Sequence, residues 1–323
     1  MVEELLQSAP MQAWIGFLAF VLVMLALDLG VFNRKAHVPS FKEATVWSCA
    51  WVTLALAFNA LIWRQMGQFK GIEWFTAYVL EKSLSVDNLF VFVMVFSAFG
   101  VGMKNQHRIL YWGILGALVL RAAMILGGTA LLNRFEWMMY VFGAFLIWTG
   151  LKMFFEKEGE EKNPSDGMTV RLFRKIVPFD PDGGHEHFLT KKNGRWLATP
   201  MLLVLIVIEF TDLVFAVDSI PAVLAITRDT FVVFTSNVFA ILGLRSLYFL
   251  LAKMMDRFRY LKVGLAIILT FVGVKMCLAH WAKARFGIAD GTLIVFSLAF
   301  ISAVLVGSII FSLVSTKHLG ESP

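Results

Sequence analysis

Cysteine is nearly absent from this chain. Its two copies, Cys49 and Cys277, lie in apolar stretches with no partner at C-x-x-C spacing. They read as inert packed thiols, with no disulfide framework and nothing to say about redox compartment. Histidine is scarce as well. All six (His37, His107, His185, His187, His280 and His318) fall in loops or at the ends of apolar runs. That placement disfavours a zinc or copper centre and a buried bis-histidine haem. No G-x-x-x-x-G-K-[ST] loop is present, so ATP is not bound by that route, and a dinucleotide fingerprint is missing too. The first residues, Met1-Val2-Glu3-Glu4, lack the basic region of a signal peptide, so the first apolar run is expected to be retained. Charge itself is thin, at 16% of residues against 59% hydrophobic, with mean hydropathy +0.74. A water-soluble globular domain is excluded.

What is present is a succession of long apolar runs, each near the ~20 residues that cross a bilayer as a helix. Nine are read, at about 12–33, 43–64, 72–100, 106–132, 135–155, 198–227, 229–252, 260–281 and 290–315. The expected class is an all-α polytopic membrane protein. The formal charge of +6 and the pI near 9.3 reflect loops on one side of the membrane rather than an affinity for nucleic acid. Basic clusters follow the first, third, fifth, seventh and ninth spans: Arg34, Lys35 and Lys42; Lys104 and Arg108; eight Lys/Arg between 156 and 197; Lys253, Arg257, Arg259 and Lys262; and Lys317. The positive-inside rule then puts the N-terminus outside and the C-terminus in the cytoplasm. The divisions are 1–42 (span one and inner loop), 43–71 (span two), 72–155 (spans three to five), 156–197 (cytoplasmic loop), 198–281 (spans six to eight) and 282–323 (span nine and tail). His185-Glu186-His187 in the cytoplasmic loop reads as solvated polar residues, because neither flank offers a ligand set.

Within these runs acids stand where a charge is costly. Glu81 and Asp87 interrupt span three, in Glu-Lys-Ser-Leu-Ser-Val-Asp-Asn at 81–88; Glu209, Asp212 and Asp218 interrupt span six. Each costs roughly 2.5–3.5 kcal/mol on insertion scales, so a polar partner or a task is needed. Asp28, near the inner end of span one, reads as structural, with Arg34 or Lys35 as partners. Two arginines, Arg121 in span four and Arg245 in span seven, are placed to balance two of the five deep acids. A fully paired structural network is one reading. A cation site is the other, favoured by the surplus of acids over deep bases.

Geometry limits both readings. Glu209 and Asp212 are three apart and share a helix face. Residues six apart are displaced by about 120° on a regular helix, so Glu81 and Asp87, or Asp212 and Asp218, do not converge without unwinding or a site between helices. Pro221 invites such a break beside Asp218. Asn88 and Ser219 would add neutral oxygens next to the two aspartates, and Asp87 and Asp218 are expected to meet near the midplane.

The acids belong to an internal repeat. Glu81-x5-Asp87 matches Asp212-x5-Asp218, Leu118-Val119-Leu120-Arg121 matches Leu242-Gly243-Leu244-Arg245, and Gly150-Leu151-Lys152-Met153 matches Gly273-Val274-Lys275-Met276, in the same order. Three spans is an odd number, so the copies are expected to be inverted, with an ion site near the midplane as in secondary transporters. All-oxygen donors suit hard divalent ions such as Mn²⁺, Ca²⁺ or Mg²⁺. Exporting one against 100 mV, negative inside, costs about 4.6 kcal/mol. Proton exchange at the same carboxylates would offset it.

Longer stretches carry a resemblance. Glu-Lys-Ser-Leu-Ser-Val-Asp-Asn at 81–88, Phe-Ala-Val-Asp-Ser-Ile-Pro-Ala at 215–222 and Ser-Asn-Val-Phe-Ala-Ile-Leu-Gly-Leu-Arg at 236–245 resemble the TerC family, in its Alx-like branch. Leu-Asp-Leu-Gly-Val-Phe-Asn-Arg-Lys at 27–35 and Lys-Lys-Asn-Gly-Arg-Trp-Leu-Ala-Thr-Pro at 191–200 fit it too. The resemblance implies a bacterial inner-membrane protein grouped with LysE-type transporters, linked to manganese export and to tellurium resistance, with no organic cofactor and no enzymatic activity. It carries the ligand role onto Glu81, Asp87, Glu209, Asp212 and Asp218. The rival reading is a membrane scaffold for a tellurium-resistance or metal-delivery complex, with 156–197 as its contact surface for membrane or cytoplasmic proteins.

Overall fold

The computed structural model describes residues 9–30, 40–135, 137–155, 168–181, 183, 187–192, 194–252, 261–286 and 290–319. The side chains of Asp28 and Asp87 lie outside the described residues, as do His185, Glu186 and several basic residues of the orientation argument, among them Arg34, Lys35 and Arg257. The chain is built of helices: α1 (Met11–Gly30), α2 (Phe41–Met66), α3 (Gln68–Ala98), α4 (Met103–Arg134), α5 (Met138–Phe155) and a short α6 (Met168–Ile176). A hairpin of β1 (Leu189–Lys192) and β2 (Arg195–Ala198) follows, then α7 (Pro200–Leu224), α8 (Thr230–Ile241), α9 (Leu244–Leu251), α10 (Leu261–Phe286) and α11 (Asp290–Leu319).

Local chemistry sets several boundaries. Ser40 and Glu43 form a reciprocal capping box that starts α2. Gly67, at φ +94°, breaks α2 from α3 in a backbone conformation open to glycine. Asp229 accepts from the N–H groups of Phe231 and Val232 to start α8. In the hairpin Leu189 pairs with Ala198 and Lys192 with Arg195, across a turn that holds Gly194 at φ +76°.

Six helices among the described residues are long and apolar enough to cross a membrane: α2, α4, α5, α7, and the apolar parts of α10 and α11. A seventh span exists if α8 and α9, bent by 42° at Leu242–Gly243, count as one. The expected nine is therefore met by composition only six or seven times. The apolar part of α1, Met11–Ala26, is shorter, and α3 has Lys70, Glu73, Glu81, Lys82 and Asp87 along its length.

Helix α3 is the centre of the packing. Trp74 and Tyr78 belong to one apolar cluster with α1, α2 and α8. Ala77, Leu80 and Leu84 belong to a second with α5, α7 and α10, and Leu89, Phe92, Val95 and Phe96 to a third around the α9 end. Buried on several sides, α3 has no lipid-facing stripe to which its acids could retreat.

Contacts fix the directions. Trp74 Nε1 donates to Thr235 Oγ1 and Lys82 Nζ to the Ala240 carbonyl, so α3 and α8 run the same way. Gly113 faces Ile208, Arg121 binds Asp212 and Gly128 faces Leu224, so α4 and α7 run the same way. Helices α5 and α10 run oppositely and nearly touch. A Cβ on Gly143 would lie 3.0 Å from the Gly273 carbonyl oxygen, and one on Gly150 would lie 2.8 Å from the Ala266 carbonyl oxygen. Backbone cannot give way as a flexible side chain can. Gly150→Leu is therefore expected to lower stability by about 1–3 kcal/mol, the usual cost of overpacking, seen as a lower melting temperature in detergent. An unchanged melting temperature would remove this contact from the account.

Candidate functional site

Three elements bring charge together at the centre. Glu81 comes from α3, Arg121 from α4 and Asp212 from α7, at 0%, 1% and 3% exposure. Arg121 Nε donates to Asp212 Oδ2 at 3.1 Å and Nη2 to Oδ1 at 2.9 Å, a fork-to-fork pair. Its Nη1 donates to Glu81 Oε1. Glu81 and Asp212 are the matching first acids of the two sequence repeats, and one guanidinium joins them.

Glu209 stands one turn before Asp212 on the same face of α7. It lies against α4, where a Cβ on Gly116 would overlap its carboxylate and one on Gly113 would come within 3.9 Å of its Oε1. Glycine at 116 makes that room. Two carboxylates thus share the Arg121 guanidinium, and a third, Glu209, lies one turn away against Gly116. Oε2 of Glu81 and Oε2 of Glu209 are both buried without a hydrogen-bond partner. Such atoms are uncommon in folded proteins and each leaves a desolvation cost unmet. A cavity of about 20 Å³ adjoins Asp212, walled by Phe92, Leu110, Gly113, Ala117 and Ile208. That is room for one water-sized occupant.

Asp218, six residues beyond Asp212, is turned away from this group, as the 3.6-residue repeat of a continuous helix requires. It accepts from Thr149 Oγ1 of α5 at 3.2 Å. The expected unwinding at Pro221 is not found: α7 runs through Asp218 and Pro221 to Leu224, because losing one ladder bond near a helix end does not break it. The break falls instead in the next span, between α8 and α9 at Leu242–Gly243, where a Cβ on Gly243 would meet Trp51 Cβ at 3.0 Å.

Asp87 stands on α3, one and two-thirds turns past Glu81, with its side chain outside the described residues, so its expected meeting with Asp218 lies outside them too. Asn88 is buried at 3% exposure. Ser219 is buried and its Oγ has no partner. Arg245 is half-buried on α9. Among the described residues no group of three or more His, Cys, Asp or Glu side chains is placed to hold a metal ion.

Sequence reasoning missed several polar groups. Asn237, at 1% exposure, has neither amide atom hydrogen-bonded, and Ser85 Oγ is buried and bare on α3. Thr149 gave no signal beyond its place just before Gly150-Leu151-Lys152-Met153. A further ionic group sits where α2 meets α3 and α7 meets α8. Lys70 Nζ lies 2.9 Å from Glu73 Oε2 and 3.2 Å from Asp229 Oδ2, and Thr227 Oγ1 donates to Glu73 at 2.7 Å. Burial works to lower the Lys70 pKa, but the hydrogen bonds and charges of Glu73 and Asp229 outweigh it and raise the ammonium above its usual value.

Comparisons with known proteins agree with this architecture. A family profile described as the integral membrane protein TerC family matches residues 66–319. An uncharacterized membrane protein of Myxococcus xanthus is 52% identical over 309 residues, covering 96% of this chain and 94% of that protein. A Salmonella typhi protein named "Putative membrane-bound redox modulator Alx" is 47% identical over 301 residues, covering 90% and 92%. An Escherichia coli K12 protein of the same name is 46% identical over 287 residues, covering 86% and 89%. No solved structure matches. With most of its length under the family profile, the chain belongs to the TerC family of integral membrane proteins.

Proposed function

We propose that this chain is a secondary transporter that exports a hard divalent cation, Mn²⁺ first among them, across a bacterial inner membrane. The observation that carries the reading is the pair of buried carboxylate oxygens left without a donor, Glu81 Oε2 on the acid that Arg121 holds and Glu209 Oε2 one turn before Asp212. A buried carboxylate in that state favours either a proton or a cation as its occupant. Alternation between the two is what exchange of metal for protons requires. The cation is the cargo, and Glu81, Asp87, Glu209, Asp212 and Asp218 are its ligands, with Asn88 and Ser219 as accessory oxygens. Arg121 and Arg245 balance the acids between steps.

The helix directions support the inverted repeat. With α3 parallel to α8, α4 parallel to α7 and α5 antiparallel to α10, each element of 72–155 runs against its sequence match in 198–281. The α5–α10 contacts also exchange under the repeat. Gly150 meets Ala266 while its match, Gly273, meets Gly143, which stands seven residues before Gly150 as Ala266 does before Gly273. On this reading the C-terminus is cytoplasmic and the N-terminus outside.

The variants Asp87→Ala and Asp218→Ala test the ligand assignment. Both are expected to reach the membrane in normal amounts and to lose Mn²⁺ efflux from loaded cells. Normal efflux in both would sink the assignment.

The name carried by the relatives points to redox modulation. The two cysteines are free, Cys49 exposed on α2 and Cys277 half-buried on α10, so an internal thiol pair is not the means. A scaffold reading rests on the apolar side chains that the α6–hairpin segment leaves exposed, Leu172, Ile176 and Trp196. Replacing those three with serine separates the readings: a scaffold loses its cellular function, whereas a transporter keeps moving metal in vesicles.

A further inference from the structure

The α1–α2 side of the bundle holds a feature that the transport reading does not use. A cavity of about 580 Å³ lies between α1 and α2, with Phe231 and Phe239 of α8 as its floor. That volume is in the range of small-molecule sites, roughly 300–1,000 Å³. Its walls are apolar almost throughout, with Gly16, Phe17 and Phe20 on α1 and Ala57 and Phe58 on α2. Gly16, Ala57 and Leu61 are exposed to it rather than packed.

Shape decides the occupant. On α2 the cavity runs from Leu54 to Met66, and on α1 from the residues just before the helix, Ala9 and Pro10, to Phe20. At 1.5 Å per residue this is about 18 Å along α2. One leaflet of a ~30 Å hydrocarbon core is about 15 Å deep. Over that length the cavity is an elongated apolar slot that follows the two helices. An extended hydrocarbon chain matches that length and those apolar walls. Polarity appears at one end only. Gln65 lines the cavity where α2 finishes, and the neighbouring Arg64 and Trp63 are exposed there. A cation beside an exposed indole is the side-chain pattern of the membrane–water boundary, where lipid phosphates lie.

We propose that this slot is a phospholipid site. One acyl chain lies between α1 and α2 through a single leaflet, and the phosphate rests at Arg64 and Gln65. The lipid fills the space that α1 leaves open, since α1 meets the bundle chiefly through rings: Trp14 on Phe231, and Phe17 on Phe58 and Phe239. A retained lipid is therefore part of how α1 is seated.

The test uses the whole protein, purified in mild detergent, with phosphatidylglycerol as the added probe and bound lipid counted by native mass spectrometry. A Cβ on Gly16 meets no atom within 4 Å, so Gly16→Trp puts an indole into the slot without a clash at its base. Gly16→Trp and Ala57→Trp are expected to cut the retained phospholipid at least tenfold. Arg64→Gln is expected to cut it severalfold. Leu22→Trp, at an exposed position of α1 away from the slot, is expected to leave it unchanged. Elution volume and melting temperature establish that each variant is folded. Equal retention in Gly16→Trp, Ala57→Trp and the parent would overturn the proposal, as would a parent protein carrying no phospholipid adduct.

Discussion

Arg121→Met is expected to leave little folded protein in the membrane. The substitution strips two fully buried carboxylates, Glu81 and Asp212, of their shared guanidinium. Breaking a buried ion pair by removing one partner costs about 3–5 kcal/mol, which is much of the stability of an ordinary domain. Arg121→Lys is expected to be only partly better. An ammonium carries the charge but cannot form the two parallel bonds that Nε and Nη2 make to Asp212. The neutral triple variant Glu81→Gln, Arg121→Met, Asp212→Asn is expected to regain folded protein, because no lone charge remains, while moving no metal. Melting temperature and yield in detergent provide the readout. An Arg121→Met protein as stable as the parent would mean that Glu81 and Asp212 are not held by Arg121.

Glu209→Gln is the second large effect, and it separates ligand from support. Glu209 takes no part in the Arg121 bonds, and its Oε2 has no donor in the fold. Neutralising it therefore removes little that stabilises the helices, and a melting temperature close to the parent's is expected. Metal transport is expected to fall by at least about tenfold, the low end of what losing even a supporting group costs a metal site. Gly116→Ala is expected to act in the same direction, because its methyl would occupy the space of the Glu209 carboxylate. Unchanged transport by Glu209→Gln would take this residue out of the pathway.

Much of the site was legible because membranes penalise charge so heavily. Glu81, Arg121 and Asp212 stand out in apolar runs, and the structure joins both acids to Arg121. The shared face of Glu209 and Asp212 followed from spacing alone, as did the turning away of Asp218. Partners across the bundle were another matter. Nothing in the sequence near Thr149 shows that it reaches Asp218, since that contact depends on how closely α5 approaches α7. Pro221 drew attention as a breaker, yet the bend formed at Gly243, where α2 presses Trp51 against the backbone. The bend thus falls where a neighbouring helix comes close to the backbone, which local propensity does not record. The hairpin carries a local signal of its own. Asn193-Gly194, between residues that alternate around Trp196 and Thr190, is the dipeptide that two-residue hairpin turns favour. In the same way the number of membrane spans was read from hydropathy alone, whereas α3, buried among other helices, bears more charge than a lipid-facing span tolerates.

The central claim is exchange of a divalent cation for protons at buried carboxylates. Its most direct test is the purified protein in sealed vesicles, followed for Mn²⁺ flux with and without an imposed pH gradient. Protein-dependent Mn²⁺ movement, faster when protons run the opposite way and accompanied by a change of internal pH, is the expected result. Flux no greater than in empty vesicles, or flux indifferent to the pH gradient, would contradict it.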